Sequence, residues 1–279
     1  MNRSKSFDGK RPILYLIATP IGNLKEMSPR ALEIISEVDI VAAEDTRNAF
    51  SLLTNFNLKK ELFSLREHNE VEASKNLLEK IKAGKKVAYM SDAGYPGISD
   101  PGYLLVQEMI KNDIAVSTIS GSCAFINALV ASGLDTKHFY FYGFLPAKES
   151  EAKEELEGLK DKKETIIFYE APHRINKTLN LLRDILGNRS VCLARELTKL
   201  NEEYIRGTLD ELVEIDESTI KGEIVLIVDG NKSEKAINDE EIKSRVAYFI
   251  NLGLSQKDAI NVVSEEYSVN KNYVKKLVF

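Results

Sequence analysis

The sequence predicts an α/β protein: two α/β domains, residues 1–117 and 118–231, followed by a small helical extension over residues 238–279. Three observations lead there. Apolar runs of strand length alternate with amphipathic stretches of helix length, the pattern of an open α/β sheet. Breaks rich in Gly, Pro and small polar residues separate them. From Asp239 onward the strand-like runs stop and only helical spacing remains.

The run Ile13 to Thr19 is continuously apolar, as a central strand of a parallel sheet must be. Ser28-Pro29 opens a helix with Ser as its cap and Pro in its first turn, and Ala31, Leu32, Ile34, Ile35 and Val38 form its apolar face. Asp39 to Ala43 reads as the next strand, with a helix from Thr46 and another from Val71 to Ala83, stopped by Gly84. Val87 to Met90 is a third strand, a helix follows Pro101, and Ile114 to Ile119 is a fourth strand. Ligands in such sheets sit beyond the carboxyl ends of the strands, where the loops Pro20 to Leu24 and Ser91 to Gly102 fall.

The second half opens with a helix from Ser122 to Ala131, ended near Gly133. Phe139 to Tyr142 is a strand that Gly143-Phe-Leu-Pro146 is expected to break, and Lys148 to Leu159 is a highly charged, solvated helix. Strands follow at Thr165 to Tyr169, Ser190 to Ala194, Glu202 to Arg206 and Glu223 to Val228, with a helix from Ile175 to Leu186. The strands at Ser190 and Glu202 are close enough to pair antiparallel, so this half is mixed. Residues 231–237 read as a linker. Beyond it come three short helices, in which Ala259, Val262 and Val263 pack one helix and Val269, Val274 and Leu277 the next. That spacing suits a DNA-reading helix-turn-helix; a helical cap is the plainer reading.

Composition bounds the function. The 279 residues suffice for two domains with cores, and 43% hydrophobic with 29% charged residues is globular. No apolar run reaches bilayer length, and polar residues follow the run at 13–19 at once, so a soluble, cytoplasmic protein without a signal peptide is expected. Cys123 and Cys192 are far apart and the three histidines are scattered, which predicts neither a disulfide framework nor a metal site. A net charge of −5 argues against coating nucleic acid through bulk charge, though not against a local basic cleft. The cationic ends, with Arg3, Lys5, Lys10 and Arg11 in front and Lys271, Lys275 and Lys276 behind, could touch phosphate, with solvated ends as the plainer reading.

The strongest local signal is Met90-Ser-Asp-Ala-Gly-Tyr-Pro-Gly-Ile-Ser-Asp-Pro-Gly102, between a strand and a helix. Gly94, Gly97 and Gly102 let the backbone approach a ligand closely, while Asp92 and Asp100 bring negative charge. The phosphate-loop and dinucleotide spacings are both absent. The loop therefore suits a neutral or cationic ligand better than a nucleotide phosphate. S-adenosylmethionine, with a sulfonium, an ammonium and no phosphate, fits that description.

With these residues in view, the chain resembles the tetrapyrrole-methylase-fold methyltransferases. Within them it is similar to those that methylate a cytidine 2′-hydroxyl in 16S rRNA. The resemblance runs from Leu14 to Asp229 on Ala18-Thr-Pro-Ile-Gly-Asn-Leu24, Ala43-Glu-Asp-Thr-Arg47, Ser91 to Gly102, Tyr169-Glu-Ala-Pro-His-Arg174, Ala194-Arg-Glu-Leu-Thr-Lys199 and Gly222-Glu-Ile-Val-Leu226. It implies S-adenosyl-L-methionine in an interdomain cleft, touched by Pro20, Gly22, Asp92, Ala93, Gly94, Ile98, Ser122 and Cys123. It also implies a homodimer and, as partner, the 16S rRNA of the small ribosomal subunit. One departure is Ser120-Gly-Ser-Cys-Ala124, where the family shows Pro-Gly-Pro-Ser-Ala; without the prolines the loop is less rigid.

Methyl transfer from a sulfonium needs alignment more than acid catalysis. A ribose hydroxyl is nonetheless a poor nucleophile, so a general base would help. Glu44, Asp45 and His173 follow strands and are the candidates, though Asp45 would equally cap the turn of Arg47. Arg47, Arg174, Arg195 and Lys199 are candidate RNA contacts, with internal ion pairing as the competing role. A tetrapyrrole methylase and a non-catalytic nucleotide- or RNA-binding module are the alternatives.

Overall fold

A computed structural model of the chain describes residues 12–232, 239–267 and 269–278. The cationic tail with Arg3, Lys5, Lys10 and Arg11 lies outside the described residues, as do positions 233–237 of the expected linker. The chain divides into two compact units, Met1–Asn231 and Lys232–Phe279.

The larger unit holds two five-stranded sheets. The first is built from β1 (Ile13–Ile17), α1 (Pro29–Glu37), β2 (Ile40–Ala43), α2 (Thr46–Asn55), β3 (Glu61–Ser64), α3 (Glu70–Lys82), β4 (Val87–Met90), α4 (Tyr103–Lys111) and β5 (Ala115–Ile119). Its strands run parallel in the order β3-β2-β4-β1-β5. Every residue of β2 and β4 is buried, as helices on both faces require. Alternate strand residues feed two cores: Leu14, Ile40, Ala42 and Tyr89 meet Leu77, Leu105 and Met109, while Ile17, Val41, Ala88 and Met90 meet Ala31, Ile34, Ile35 and Leu53. Helix α1 starts as its sequence predicts, with Ser28 Oγ accepting from the Ala31 amide at 3.1 Å and Pro29 beside it. Strand β3 has no counterpart in the sequence reading. It is a short edge strand whose apolar content is Leu62 and Phe63, too little to stand out between charged neighbours.

The second sheet follows as α5 (Ala124–Ser132), β6 (Phe139–Phe144), α6 (Glu149–Leu159), β7 (Thr165–Glu170), α7 (Ile175–Leu186), β8 (Ser190–Arg195), β9 (Glu203–Thr208), α8 (Leu209–Leu212) and β10 (Ile224–Val228). The order is β6-β7-β10-β8-β9, with β6 and β7 parallel and the other pairs antiparallel. Gly143 does not break β6, contrary to expectation. The strand continues through Phe144 because a register shift between Phe141 and Gly143 absorbs the irregularity as a bulge. The charged helix α6 is amphipathic after all, burying Ala152, Leu156 and Leu159. Ile21, from the first half, packs in one core with Leu129, Ile167 and Val225, so the two sheets share apolar contacts beside the β1 exit.

The smaller unit comprises α9 (Asp239–Asn251), α10 (Gln256–Glu266) and α11 (Lys271–Val278) around Ile242, Val246, Ala259, Val263 and Val274. Val269 and Leu277 pack against that core. Val262, expected inside, is 38% exposed; Ala259 and Val263, one turn apart, hold the inward face. Among the described residues no helix is long and apolar enough to cross a membrane.

Candidate functional site

Strands β1, β2, β4 and β5 end on one side of their sheet, and the two loops singled out from the sequence meet there. Thr19 and Gly94 exchange backbone hydrogen bonds of 2.9 and 3.1 Å, which zips the β1 exit to the glycine-rich loop. Gly94 adopts φ +73, a conformation glycine takes without steric cost. The far end of the loop is held by two groups. Tyr89 donates its hydroxyl to the Pro101 carbonyl at 2.8 Å, and the buried Glu70 accepts from the amides of Gly102, Leu104 and Leu105 at the start of α4. A carboxylate on free helix N–H groups is stabilised by the local dipole. The sequence reading missed Glu70, whose partners lie on a different helix.

The second half approaches through Ser120 to Cys123. A Cβ at Gly121 would stand 2.8 Å from the Ala18 carbonyl oxygen, so only glycine lets this loop lie on the β1 exit. The Gly121 amide donates to the Tyr95 hydroxyl at 3.2 Å, and Ser122 donates its hydroxyl to Glu26 at 2.7 Å. The departure from the family pattern at Ser120–Ala124 thus still leaves a tethered loop.

Two cavities result. The larger, about 570 Å³, lies between the halves. Ile21, Ala93, Gly94, Ile98 and Asp100 form one wall; Cys123, Phe144, Tyr169, Glu196, Lys199 and Val225 form the other. The smaller, about 250 Å³, is bounded by Pro20, Gly22, Ser91 and Asp92 and by the α2 residues Asn48, Ser51 and Asn55. The residues proposed from sequence to hold one cofactor therefore divide. Ala93, Gly94, Ile98 and Cys123 line the larger cavity, Pro20, Gly22 and Asp92 line the smaller, and Ser122 lines neither.

The three candidate bases line neither cavity. Asp45 caps α2 by accepting from the Arg47 amide at 2.8 Å and is ion-paired with the Arg47 guanidinium; those bonds hold its carboxyl far below the usual range. His173 is exposed, in the short turn after β7. Glu44 is half-buried, and burial, with Asp92 and Glu67 adding repulsion, raises its pKa. Asp100, on the wall of the larger cavity, is pushed up to about 6 by burial, then by Glu44 and Asp92.

The cations are mostly engaged. Arg174 donates to the carbonyls of Leu145 and Pro146 at 3.0 and 3.2 Å and stands 3.4 Å from Glu170. Arg195 pairs with Glu203 at 2.6 Å with its side chain only 17% exposed. Lys199 bridges Glu196 at 2.8 Å and Glu223 at 3.0 Å. Arg47 is 85% exposed despite its pairing with Asp45. Sequence reasoning assigned no role to Phe144 or Tyr169. As aromatic residues outside the Gly-rich loop they carried no signal until the sheets brought them together. Asp100 was visible as charge, but its titration depends on neighbours the sequence does not place.

The larger cavity carries Asp100, Glu170, Glu196 and Glu223 against Lys199, with aromatic faces from Phe144 and Tyr169. Such a site favours a cation or a neutral ring over a phosphate. Among the described residues no group of three potential metal ligands occurs, and both cysteines are free.

Comparison with known proteins extends this picture. The family described as tetrapyrrole (corrin/porphyrin) methylases matches residues 13–213. A protein of Halalkalibacterium halodurans named ribosomal RNA small subunit methyltransferase I is 47% identical over 266 residues, 92% of this chain and 91% of that one. Its namesake in Bacillus subtilis is 41% identical over 98% of this chain and 97% of its own. Among solved structures, the methyltransferase CobJ superposes with a TM-score of 0.60 at 16% identity, covering 80% of this chain and 96% of that one, which speaks to the fold alone. The paired sheets, the cleft between them and the near full-length relatives agree: the chain belongs to the tetrapyrrole methylase family, in the group of the ribosomal RNA small subunit methyltransferase I proteins.

Proposed function

We propose that the protein is a methyltransferase that uses S-adenosyl-L-methionine to methylate the 2′-hydroxyl of a cytidine in 16S rRNA of the small ribosomal subunit. The observation that carries the donor is the larger cavity. Its 570 Å³ lies within the range of about 300–1,000 Å³ typical of small-molecule sites. Its lining supports the fit: Ile98, Phe144, Tyr169 and Val225 offer apolar faces to an adenine, and the carboxylates of Asp100, Glu196 and Glu223 favour a sulfonium and an ammonium. The acceptor rests on the names of the near full-length relatives.

The donor, when bound, supplies an electrophilic methyl whose leaving group is a neutral thioether. The chain's own work is to orient and to handle one proton. The zipped loops at Thr19 and Gly94 hold the wall of the site in place before reaction. A ribose hydroxyl gives up its proton most readily to a base whose pKa lies near the working pH. Asp100 meets that condition on the cavity wall, its pKa raised by burial and then by the charge of Glu44. Asp45 and His173 are poorer choices, one engaged by Arg47 and the other turned to solvent. For RNA backbone contact, Arg47 is the best exposed of the four cations named from sequence.

Purified protein given the labelled donor should transfer methyl to small ribosomal subunits, with the label on a ribose. Label in a base, or in a tetrapyrrole alone, would refute the acceptor; absence of donor binding in calorimetry would refute the enzyme. The same reading makes the protein a cytoplasmic homodimer. The exposed Ile126 and Val130 on α5 and Phe139 on β6 support a second copy covering that face, which sedimentation can weigh.

A further inference from the structure

We propose that the smaller cavity takes the base of the acceptor nucleotide and selects one with an exocyclic amine on its pairing edge, a cytosine rather than a uracil. This rests on the RNA reading above and deepens it. A nucleotide whose ribose is to be methylated inside a folded rRNA must leave its stack, and an extruded base needs somewhere to go.

Position comes first. Pro20, Gly22 and Asp92 line the smaller cavity, while their chain neighbours Ile21 and Ala93 line the larger. The two spaces are thus separated by the thickness of two loops, joined at the Thr19–Gly94 bridge. A base seated on one side leaves its ribose at the boundary with the donor's cavity.

Size comes second. At about 250 Å³ the space falls below the range of about 300–1,000 Å³ for drug-sized ligands. One nucleobase with part of its sugar matches it; a tetrapyrrole macrocycle does not.

Hydrogen-bond polarity comes third. Asp92 is held by two donors: the Asp45 amide at 3.3 Å on one oxygen and the Asn48 amide nitrogen at 2.7 Å on the other. A carboxylate has about four acceptor positions, so capacity remains. The bond from Asn48 orients its amide so that the side-chain oxygen is left as an acceptor. Asn55 does likewise, because its amide nitrogen donates to the Ser51 carbonyl at 3.0 Å. Each amide also keeps one N–H, but with the remaining lone pairs of Asp92 the acceptors on this wall outnumber the donors, which favours a ligand edge that donates. Cytosine offers an N4 amine there and uracil an oxygen. Leu24 and Leu52 add apolar surface for the faces of a ring.

Charge comes last. Burial raises the carboxyl pKa of Glu44 and of Asp100, and the charge of Asp92 on this wall adds to both. The negative charge gathered at and around Asp92 repels a carboxylate-rich acceptor and RNA phosphates, while an uncharged base enters without that penalty.

The test uses two variants of the full chain and small subunits carrying either cytidine or uridine at the methylated position. Asp92→Asn exchanges one acceptor for an amide that can turn a donor to the base. The wild type should prefer cytidine by about 10- to 100-fold, and Asp92→Asn should shrink that ratio by a similar factor. Ser51→Phe fills the cavity from an exposed helix position; it should lose transfer at least tenfold while donor affinity, measured by calorimetry, and melting midpoint stay at wild-type values. An unchanged cytidine-to-uridine ratio in Asp92→Asn together with wild-type transfer by Ser51→Phe would overturn the proposal. So would a parallel loss of donor affinity in Ser51→Phe, which would assign the cavity to the donor. A wild type that binds donor yet labels neither kind of subunit brings down the RNA reading, and the base pocket with it.

Discussion

Replacing Arg174 by alanine should destabilise the fold rather than weaken RNA binding. The guanidinium donates to two carbonyls, Leu145 and Pro146, where the chain leaves β6, and its Nε lies 3.4 Å from Glu170, which is 3% exposed. Hydrogen bonds involving a charged group contribute about 1.5–3 kcal/mol, and breaking a buried ion pair costs about 3–5 kcal/mol because one charge is left alone. Two facts reduce that figure. The Arg174 side chain is 26% exposed, and Glu170 keeps bonds from the Thr178 hydroxyl and the Ala171 amide. A loss of about 2–4 kcal/mol follows, or roughly 5–15 °C in melting temperature for a unit of this size. Urea titration and thermal melting read it directly. Arg47→Ala is the matched control: its side chain is 85% exposed, and a solvent-screened pairing with Asp45 should leave the melting temperature close to wild type. If Arg174→Ala melts with the wild type and instead loses rRNA affinity in a salt-dependent way, the guanidinium contacts phosphate and the structural assignment is wrong.

Three further outcomes are expected. Gly94→Val should weaken donor binding at least tenfold in calorimetry, because a β-branched residue is strained at φ +73 and its Cβ would stand 3.5 Å from Ile21; unchanged affinity would remove this loop from the site. Asp100→Asn should stabilise the protein by about 1–2 kcal/mol at pH 8, allowing for solvent screening. The folded-state pKa of about 6 is raised above the ordinary 3.8, so the native state bears an unfavourable charge above pH 6, and the gain should fade to nothing as both states protonate by about pH 4; an equal gain at pH 8 and pH 4 would contradict the assignment. His173→Ala should keep full turnover and cofactor affinity in a methyl-transfer assay, since the ring is exposed and lines neither cavity; loss of turnover with binding intact would restore it as the base.

Much of the side proposed for the donor was legible in the chain. The loop from Ser91 to Gly102 announces itself through glycines, its place between strand and helix, and the absence of a phosphate-binding lysine, and it does wall the larger cavity. The side proposed for the acceptor was not legible. Asp45 and Arg47 satisfy each other two residues apart, a role their spacing permits as readily as catalysis. Asn48, Ser51 and Asn55 look like the polar face of an ordinary amphipathic helix until α2 is set against Asp92.

By itself the sequence determined the alternation of strands and helices, the helix start at Ser28, the mixed character of the second sheet and the family. These follow from local periodicity, caps and turn residues, which act within a few positions of one another. Tertiary structure alone decided that the residues expected around one cofactor line two cavities, that Arg174 and Arg195 are engaged by groups of the fold itself, and that burial pushes the Asp100 carboxyl up. The physical reason is the same in each case. Burial, pairing and pKa depend on which distant groups come within a few ångströms, and only the packing of the two sheets sets those distances.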